Sequence, residues 1–71
     1  MNLKLTEFLK NEIESRGIKY TFISQKTGIE YGRLMRIFNQ NAVITGSELL
    51  YISKLLGVKQ ETLMGFVSLA V

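Results

Sequence analysis

The chain has 71 residues and a formal net charge of +3, and it contains no cysteine and no histidine. This length predicts one small domain with a thin stability margin. Without thiol or imidazole groups the chain has no disulfide framework, no soft metal site and no common nucleophile with its base, so we expect no metal, no cofactor and no enzymatic activity. The short length leaves no room for a ligand-sensing domain, so we also expect no small-molecule ligand. Its apolar runs are shorter than the roughly 20 residues of a membrane span, which predicts a soluble, cytoplasmic protein with no membrane partner.

Apolar residues recur at helical spacing in five segments, and no segment alternates at period two as a half-buried strand does. The first predicted helix runs from Leu3 to Arg16, with Gly17 as its stop. The second covers Tyr20 to Thr27, and the third begins near Tyr31 and ends near Asn39 or Gln40. These patterns predict an all-α fold.

The second half of the chain carries clear helix boundaries. Thr45 and Glu48 have the spacing of a capping box at the start of a fourth helix, and Gly57 marks its end. The residues that we predict this helix to bury are Leu49, Leu50, Ile52, Leu55 and Leu56. A short fifth helix covers 60–66, and residues 67–71 form an apolar tail. No linker or repeat interrupts the chain, so residues 1–71 are predicted to form a single domain.

Residues from about 20 to 40 have the pattern of two helices joined by a tight turn. Ser24 is small where a second helix must cross closely, and Gly28 can adopt the left-handed conformation that commonly follows a helix. Leu34 and Ile37 share one face of the third helix. The opposite face carries Gly32, Met35, Arg36 and Asn39. The pattern predicts a helix-turn-helix formed by helices two and three.

The positive charge is concentrated in the same segment. Residues 16–41 contain five cations and one anion, a net charge of +4, and the remainder of the chain is slightly acidic. The cations are Arg16, Lys19, Lys26, Arg33 and Arg36, and the anion is Glu30. A basic patch confined to such a motif is typical of a phosphate-binding face. The alternative is a set of ordinary solvated helix charges.

Over nearly its full length the chain resembles the Cro/C1 (Xre-type) helix-turn-helix family of phage repressors and bacterial regulators. The matching segments are Gly17-Ile18, Ile23-Ser24, Gly28-Ile29, Leu34-Met35-Arg36-Ile37 and the run from Leu49 to Val58. Tyr20 stands where the family often has Gln, and Glu30 stands where Ser or Thr usually caps the recognition helix. Ile13 and Phe38 replace a buried Arg and Glu pair with apolar residues. The resemblance implies a compact five-helix, lambda-repressor-like DNA-binding domain.

In this family helix three enters the major groove, where base edges distinguish all four base pairs. Arg36 is the strongest candidate because a guanidinium can make two parallel bonds to guanine; the alternative is a phosphate or surface arginine. The full predicted base-reading set is Tyr31, Gly32, Met35 and Arg36. The predicted phosphate contacts, which fix register without reading sequence, are Lys19, Tyr20 through its amide, Arg33, Asn39 and Asn41. For Lys19 and Asn41 the alternative is an ordinary exposed loop residue.

A single helix reads few base pairs, so sequence specificity predicts a homodimer on a palindromic double-stranded operator. The predicted dimer interface comprises Val58, Leu63, Phe66, Val67 and Leu69. Alternatively, the first three of these complete the core. The expected function is that of a sequence-specific DNA-binding regulator of transcription, a Cro/C1-like repressor. The alternative function is a protein-interaction module on the same fold, antitoxin-like or an accessory regulator, acting through Phe22, Tyr31 and the apolar tail.

Overall fold

The computed structural model describes residues 3–67 of the chain. Its five helices are α1 (Leu3–Ser15), α2 (Tyr20–Thr27), α3 (Tyr31–Asn39), α4 (Gly46–Leu56) and α5 (Gln60–Val67). No strand occurs within the described residues, which confirms the all-α prediction. The first helix ends one residue earlier than expected and the fifth ends one residue later. No helix in residues 3–67 has both the length and the apolar character needed to cross a membrane.

The predicted helix boundaries have identifiable physical causes. Gly28 has φ +79° and its amide donates to the Ser24 carbonyl, so it closes α2 in the left-handed conformation that glycine adopts without a Cβ penalty. Gly57 closes α4 in the same way with φ +72°. At the start of α4 the Thr45 hydroxyl accepts the Glu48 amide at 3.3 Å, and the Glu48 carboxylate accepts the Thr45 amide at 2.9 Å. The predicted capping box is therefore confirmed.

The core lies between the first four helices. Its buried apolar side chains are Leu5, Leu9, Ile13, Ile23, Leu34, Ile37, Phe38, Ile52 and Leu56. Ile13 and Phe38 are 0% and 4% exposed, so α1 and the end of α3 meet through apolar packing. A buried ion pair at such a place can be replaced by well-packed apolar side chains at no cost in stability. The interpretation of these two residues as a structural exchange agrees with their burial.

Leu50 is 56% exposed, so the prediction that α4 buries it is wrong. Ile52, Ser53 and Leu56 of this helix are buried, and Leu49 is half-buried. These residues follow the spacing of one helical face, whereas Leu50 is about 100° around the helix from Leu49. The angle on the helix, and not side-chain hydrophobicity alone, decides which residues of α4 reach the core.

The fifth helix is joined to the first by aromatic packing, with the ring centroids of Phe8 and Phe66 5.2 Å apart. Val58 and Leu63 are also half-buried against the core. Thus Val58, Leu63 and Phe66, predicted as dimer residues, have the packing expected of the alternative in which they complete the core. The side chain of Val67 and residue Leu69 lie outside the described part of the chain.

Candidate nucleic-acid interface

Side-chain hydrogen bonds fix the turn between α2 and α3. The Ser24 hydroxyl donates to the Ile29 carbonyl at 2.6 Å. The Thr27 hydroxyl donates to the Ile23 carbonyl at 2.7 Å and accepts the Ile29 amide at 3.2 Å. Two short hydroxyl side chains at the end of α2 therefore bond both the carbonyl and the amide of Ile29 and attach the turn to that helix. Together with the left-handed conformation of Gly28, these bonds determine the direction in which α3 begins.

The predicted base-reading residues lie on α3, on the side away from its three buried residues, Leu34, Ile37 and Phe38. Tyr31 is 49% exposed, Gly32 and Arg36 are exposed, and Met35 is half-buried. Within residues 3–67 the Arg36 guanidinium makes no described hydrogen bond or ion pair, and its Nη1 atom lies 3.7 Å from the point that a Cβ on Gly32 would occupy. The structure brings all four residues onto one accessible helix, with the guanidinium over its first turn.

Asn39, at the end of α3, belongs to a small polar network that includes a residue the sequence analysis missed. Its amide nitrogen donates to the Met35 sulfur at 3.3 Å, and its amide oxygen accepts the Lys10 ammonium at 3.3 Å. Lys10 lies one turn before Ile13 on α1, and Ile13 belongs to the same core cluster as Phe38, the neighbour of Asn39 in sequence. Ile13 and Phe38 match positions that are paired between the first and third helices in the family. That match could have predicted that Lys10 lies beside α3.

Arg33 forms the link between α3 and α4. Its Nε atom donates to Glu48 Oε2 at 2.7 Å, and its Nη2 atom donates to Glu48 Oε1 at 2.9 Å and to the Val43 carbonyl at 2.6 Å. The hydrogen bonds from Arg33, supported by those from Thr45, lower the pKa of the Glu48 carboxyl to about 2. Two of the three guanidinium nitrogens of Arg33, a predicted phosphate contact, are thus already bonded to Glu48 and Val43. The third nitrogen, Nη1, has no described partner.

Arg16 is likewise engaged inside the fold. It pairs with Glu12 at 2.8 Å across one turn of α1 and donates to the Leu56 carbonyl at the end of α4. Two of the five cations in residues 16–41 are therefore balanced by carboxylates outside that segment. The exposed cations that remain are Lys19, Lys26 and Arg36, and Lys10 on α1 lies beside Asn39. Fewer unpaired cations are therefore available to phosphate than the five counted in residues 16–41, and one further cation, Lys10, comes from α1.

The start of α2 combines a buried side chain with an open backbone. The Tyr20 ring packs on Phe38 with centroids 5.7 Å apart, and its hydroxyl is buried without a described hydrogen-bond partner. Burial, and secondarily the charge of Glu14, raises the pKa of this hydroxyl. The Tyr20 amide is in the first turn of α2, where helix amides lack internal acceptors, and Lys19 before it makes no side-chain cap. An anion at this point would meet the amide and not the phenol.

The remaining predicted phosphate residue lies in the loop between α3 and α4. Asn41 is exposed and has φ +57°, the left-handed conformation that asparagine tolerates better than most residues.

Glu30 precedes α3 and forms no side-chain cap, so no N-cap side chain accepts the free amides in the first turn of α3. The free amides at this helix start and the exposed cations nearby both attract an anion such as a phosphate.

The statistical description of a protein family, the Cro/C1-type helix-turn-helix DNA-binding domain, matches residues 8–68. No curated protein and no solved structure matches the chain at a significant level. The family match spans all of the helix-turn-helix and most of the chain, and it agrees with the five-helix architecture described above. This chain belongs to the Cro/C1-type helix-turn-helix DNA-binding family.

Proposed function

We propose that the protein is a sequence-specific double-stranded DNA-binding regulator of transcription, acting as a Cro/C1-like repressor with α3 in the major groove. The observation that carries this proposal is the exposed face of α3, on which Arg36 has no partner among the described residues while the turn before it is fixed by hydrogen bonds. An unpaired guanidinium on an exposed helix face is suited to bidentate recognition of a guanine edge.

Phosphate contacts would flank this helix. Lys19 and the Tyr20 amide lie at the start of α2, Asn39 and Asn41 lie at and beyond the end of α3, and we add Lys10 because its ammonium group touches Asn39. A backbone amide at a helix start and exposed cations both favour an anion. These groups would hold α3 in register on the duplex without reading its sequence.

We assign Arg33 a mainly positioning role in this function, with one nitrogen left for a phosphate. Its bonds to Glu48 and Val43 orient the loop between α3 and α4 relative to the recognition helix. Losing the pair would disturb Asn41 and the start of α4 together, because both are close in sequence to these anchors. Arg33 therefore acts on DNA chiefly through the geometry of its neighbours.

A dimer would double the number of base pairs read and give a palindromic operator. Leu50 and Met64 are 56% and 51% exposed and border a groove between α4 and α5 of about 400 Å³ that Val58 and Leu63 also line. An exposed apolar groove favours contact with another protein surface. Because Val58, Leu63 and Phe66 pack against the core, we place the proposed dimer contact on the exposed Leu50 and Met64 at the outer wall of this groove.

Selection of bound sequences from a randomised duplex library at near-physiological salt tests this function directly. We expect enrichment of a palindrome whose half-sites are about 10 base pairs apart, one turn of B-form DNA. A matched selection with Arg36→Ala should lose the preference at one base pair of each half-site. Absence of any enriched sequence from the unmodified protein would overturn the proposal.

A second function, that of a protein-interaction module, is favoured by one observation. Phe22 on α2 and Tyr31 on α3 are 42% and 49% exposed, so both rings are accessible to a partner protein, and aromatic side chains are enriched in the cores of protein interfaces. A salt titration separates the two functions. Counterion release makes DNA affinity fall steeply with salt, whereas a protein-interaction module would show weak DNA binding with a shallow slope.

A further inference from the structure

Gly32 is a glycine that the fold itself does not require. It is exposed in the first turn of α3, and it is not among the glycines with positive φ, which are Gly17, Gly28 and Gly57. Glycine in a helix with ordinary backbone angles is less favourable than alanine because it loses more conformational entropy on folding. The helix therefore gives up stability at this position without a backbone reason.

The open space at Gly32 is bordered by the guanidinium of Arg36. A Cβ added at Gly32 would meet Arg36 Nη1 at 3.7 Å and, its two chain neighbours aside, no other described side chain within 4 Å. Residues four apart lie on the same helix face, and helical side chains lean toward the amino terminus of their helix. Arg36 thus reaches back across the first turn of α3, over bare backbone.

A larger residue at position 32 would change where Arg36 points. Cβ alone fits at an ordinary van der Waals distance, but the next carbon of a longer side chain would compete for the volume that the guanidinium now fills. Arg36 would then extend sideways or toward the carboxyl end of α3. In the major groove, such a change moves the two parallel donors to a different base pair or misaligns them with one base edge.

We propose that Gly32 is a specificity-determining residue that acts through Arg36. By leaving the first turn of α3 open, it lets the guanidinium lie over that turn and directs it to a base pair near the amino end of the recognition helix. This inference rests on the proposed DNA-binding function. Gly32 contributes no contact of its own, and the base preference depends on the pair of residues 32 and 36.

Two substitutions at this position separate the effect of volume from that of helix stability. Gly32→Ala adds a Cβ that fits, and Gly32→Leu adds carbons that fill the site of the guanidinium; both replace glycine with a good helix former. Gly65→Ala is the matched control, because Gly65 is an exposed glycine on α5 with nothing within 4 Å of an added Cβ. Each variant is compared with the unmodified protein by sequence selection and by affinity for the selected site.

The base pair read by Arg36 is defined as the one whose preference disappears in Arg36→Ala. At that pair we expect Gly32→Leu to reduce discrimination by roughly 5-fold or more, the lower end expected for a bidentate contact, and Gly32→Ala and Gly65→Ala to change it by less than about 2-fold. In the Arg36→Ala background Gly32→Leu should have less than about a 2-fold effect on affinity, because the group that it displaces is gone.

The free protein provides a readout that needs no DNA. A nuclear Overhauser contact between the Arg36 side chain and the Gly32 α-protons is expected in the unmodified chain, and the corresponding contact should be lost in Gly32→Leu. Absence of that contact in the unmodified chain overturns the inference.

An unmodified protein with a clear operator preference that Gly32→Leu leaves intact also overturns the inference, while the proposed function stands. No selected sequence from the unmodified protein overturns both. If Gly32→Leu changes operator affinity equally in the unmodified and the Arg36→Ala backgrounds, residue 32 acts independently of Arg36, which also contradicts the inference.

Discussion

Arg33 and Glu48 join the recognition helix to the fourth helix through two hydrogen bonds, of 2.7 and 2.9 Å. The same carboxylate also accepts the Thr45 amide at 2.9 Å and so completes the capping box of α4. One side chain therefore starts α4 and fixes that helix to α3. Arg33 also donates to the Val43 carbonyl in the middle of the loop between α3 and α4, the loop that carries Asn41.

Acid should weaken the fold through Glu48. Its pKa is lowered to about 2 in the folded protein, below the value of about 4.3 expected in the unfolded chain. A lowered carboxyl pKa stabilises the fold above the unfolded pKa, and this contribution disappears as pH falls from about 5 toward 2. Glu48→Gln should lower the Tm by several degrees at pH 7, since Gln can keep the capping box but not the ion pair, and it should flatten the acid side of the Tm profile.

Thermal unfolding followed by circular dichroism between pH 7 and pH 2.5 measures this effect. Glu7→Gln is the control, because Glu7 is exposed on α1 and takes part in none of the described ion pairs. Parallel pH profiles for Glu48→Gln and the unmodified protein would contradict the assignment of acid sensitivity to this carboxylate.

The Tyr20 hydroxyl should be dispensable for both stability and DNA binding. It is buried without a described partner, and an unsatisfied buried hydroxyl costs roughly 1–3 kcal/mol. We expect Tyr20→Phe to be neutral or to stabilise the protein by about 1 kcal/mol, because the ring keeps its packing on Phe38. DNA affinity should be unchanged, since the phosphate contact is assigned to the Tyr20 amide.

Urea unfolding and binding to the selected operator test these expectations together. Tyr51→Phe is the matched control, because Tyr51 is 52% exposed and a surface change of this kind is usually within about 0.5 kcal/mol. If Tyr20→Phe weakens DNA binding while folding normally, the hydroxyl contacts the DNA and the amide assignment is incomplete.

Lys10 should contribute affinity without contributing sequence preference. Its ammonium group lies against Asn39 at the end of α3, 3.3 Å from the amide oxygen. If it neutralises one phosphate, Lys10→Gln should reduce the slope of log affinity against log salt by about 0.9 and weaken all sequences alike.

Affinities measured between 50 and 200 mM salt, on the selected operator and on an unrelated duplex, provide the test. Lys59→Gln removes an exposed charge between α4 and α5, outside the helix-turn-helix in sequence, and should leave the slope unchanged. Equal slopes for Lys10→Gln and the unmodified protein would remove Lys10 from the interface.

Local features of this fold could be predicted from the sequence because their causes are local. The turn at Gly28 and the capping box of Thr45 and Glu48 each depend on residues within one or two helical turns. The exposed face of α3 follows from the position of Leu34 and Ile37 on the opposite side of the helix. Patterns of this kind depend on helix geometry and on residues that are close in sequence.

The partners of charged side chains could not be predicted in the same way. Arg33 and Glu48 are 15 residues apart, and Lys10 and Asn39 are 29 apart, so their contacts depend on how whole helices cross. A count of charges within residues 16–41 consequently includes Arg33, which is paired with Glu48, and leaves out Lys10, which lies outside that segment. The exposure of Leu50 could not be predicted for a different reason: in a leucine-rich run, side-chain type alone does not show which residue faces outward.

Arg36 should determine sequence preference while leaving the fold unchanged. Its guanidinium is exposed and has no described partner within residues 3–67, so Arg36→Ala should change the free energy of unfolding by no more than about 0.5 kcal/mol. Loss of a bidentate guanine contact should weaken operator binding by about 1–3 kcal/mol and remove the preference at one base pair per half-site.

Arg36→Lys distinguishes base reading from charge. Lysine keeps the positive charge but lacks the planar pair of donors, so a base-reading Arg36 predicts that the lysine variant keeps the salt slope of the unmodified protein and loses most of its discrimination. Competition binding with operators changed at single base pairs measures both quantities. If Arg36→Lys retains full discrimination, the planar pair of donors is not what reads that base pair, and the assignment of a bidentate guanine contact to Arg36 is wrong.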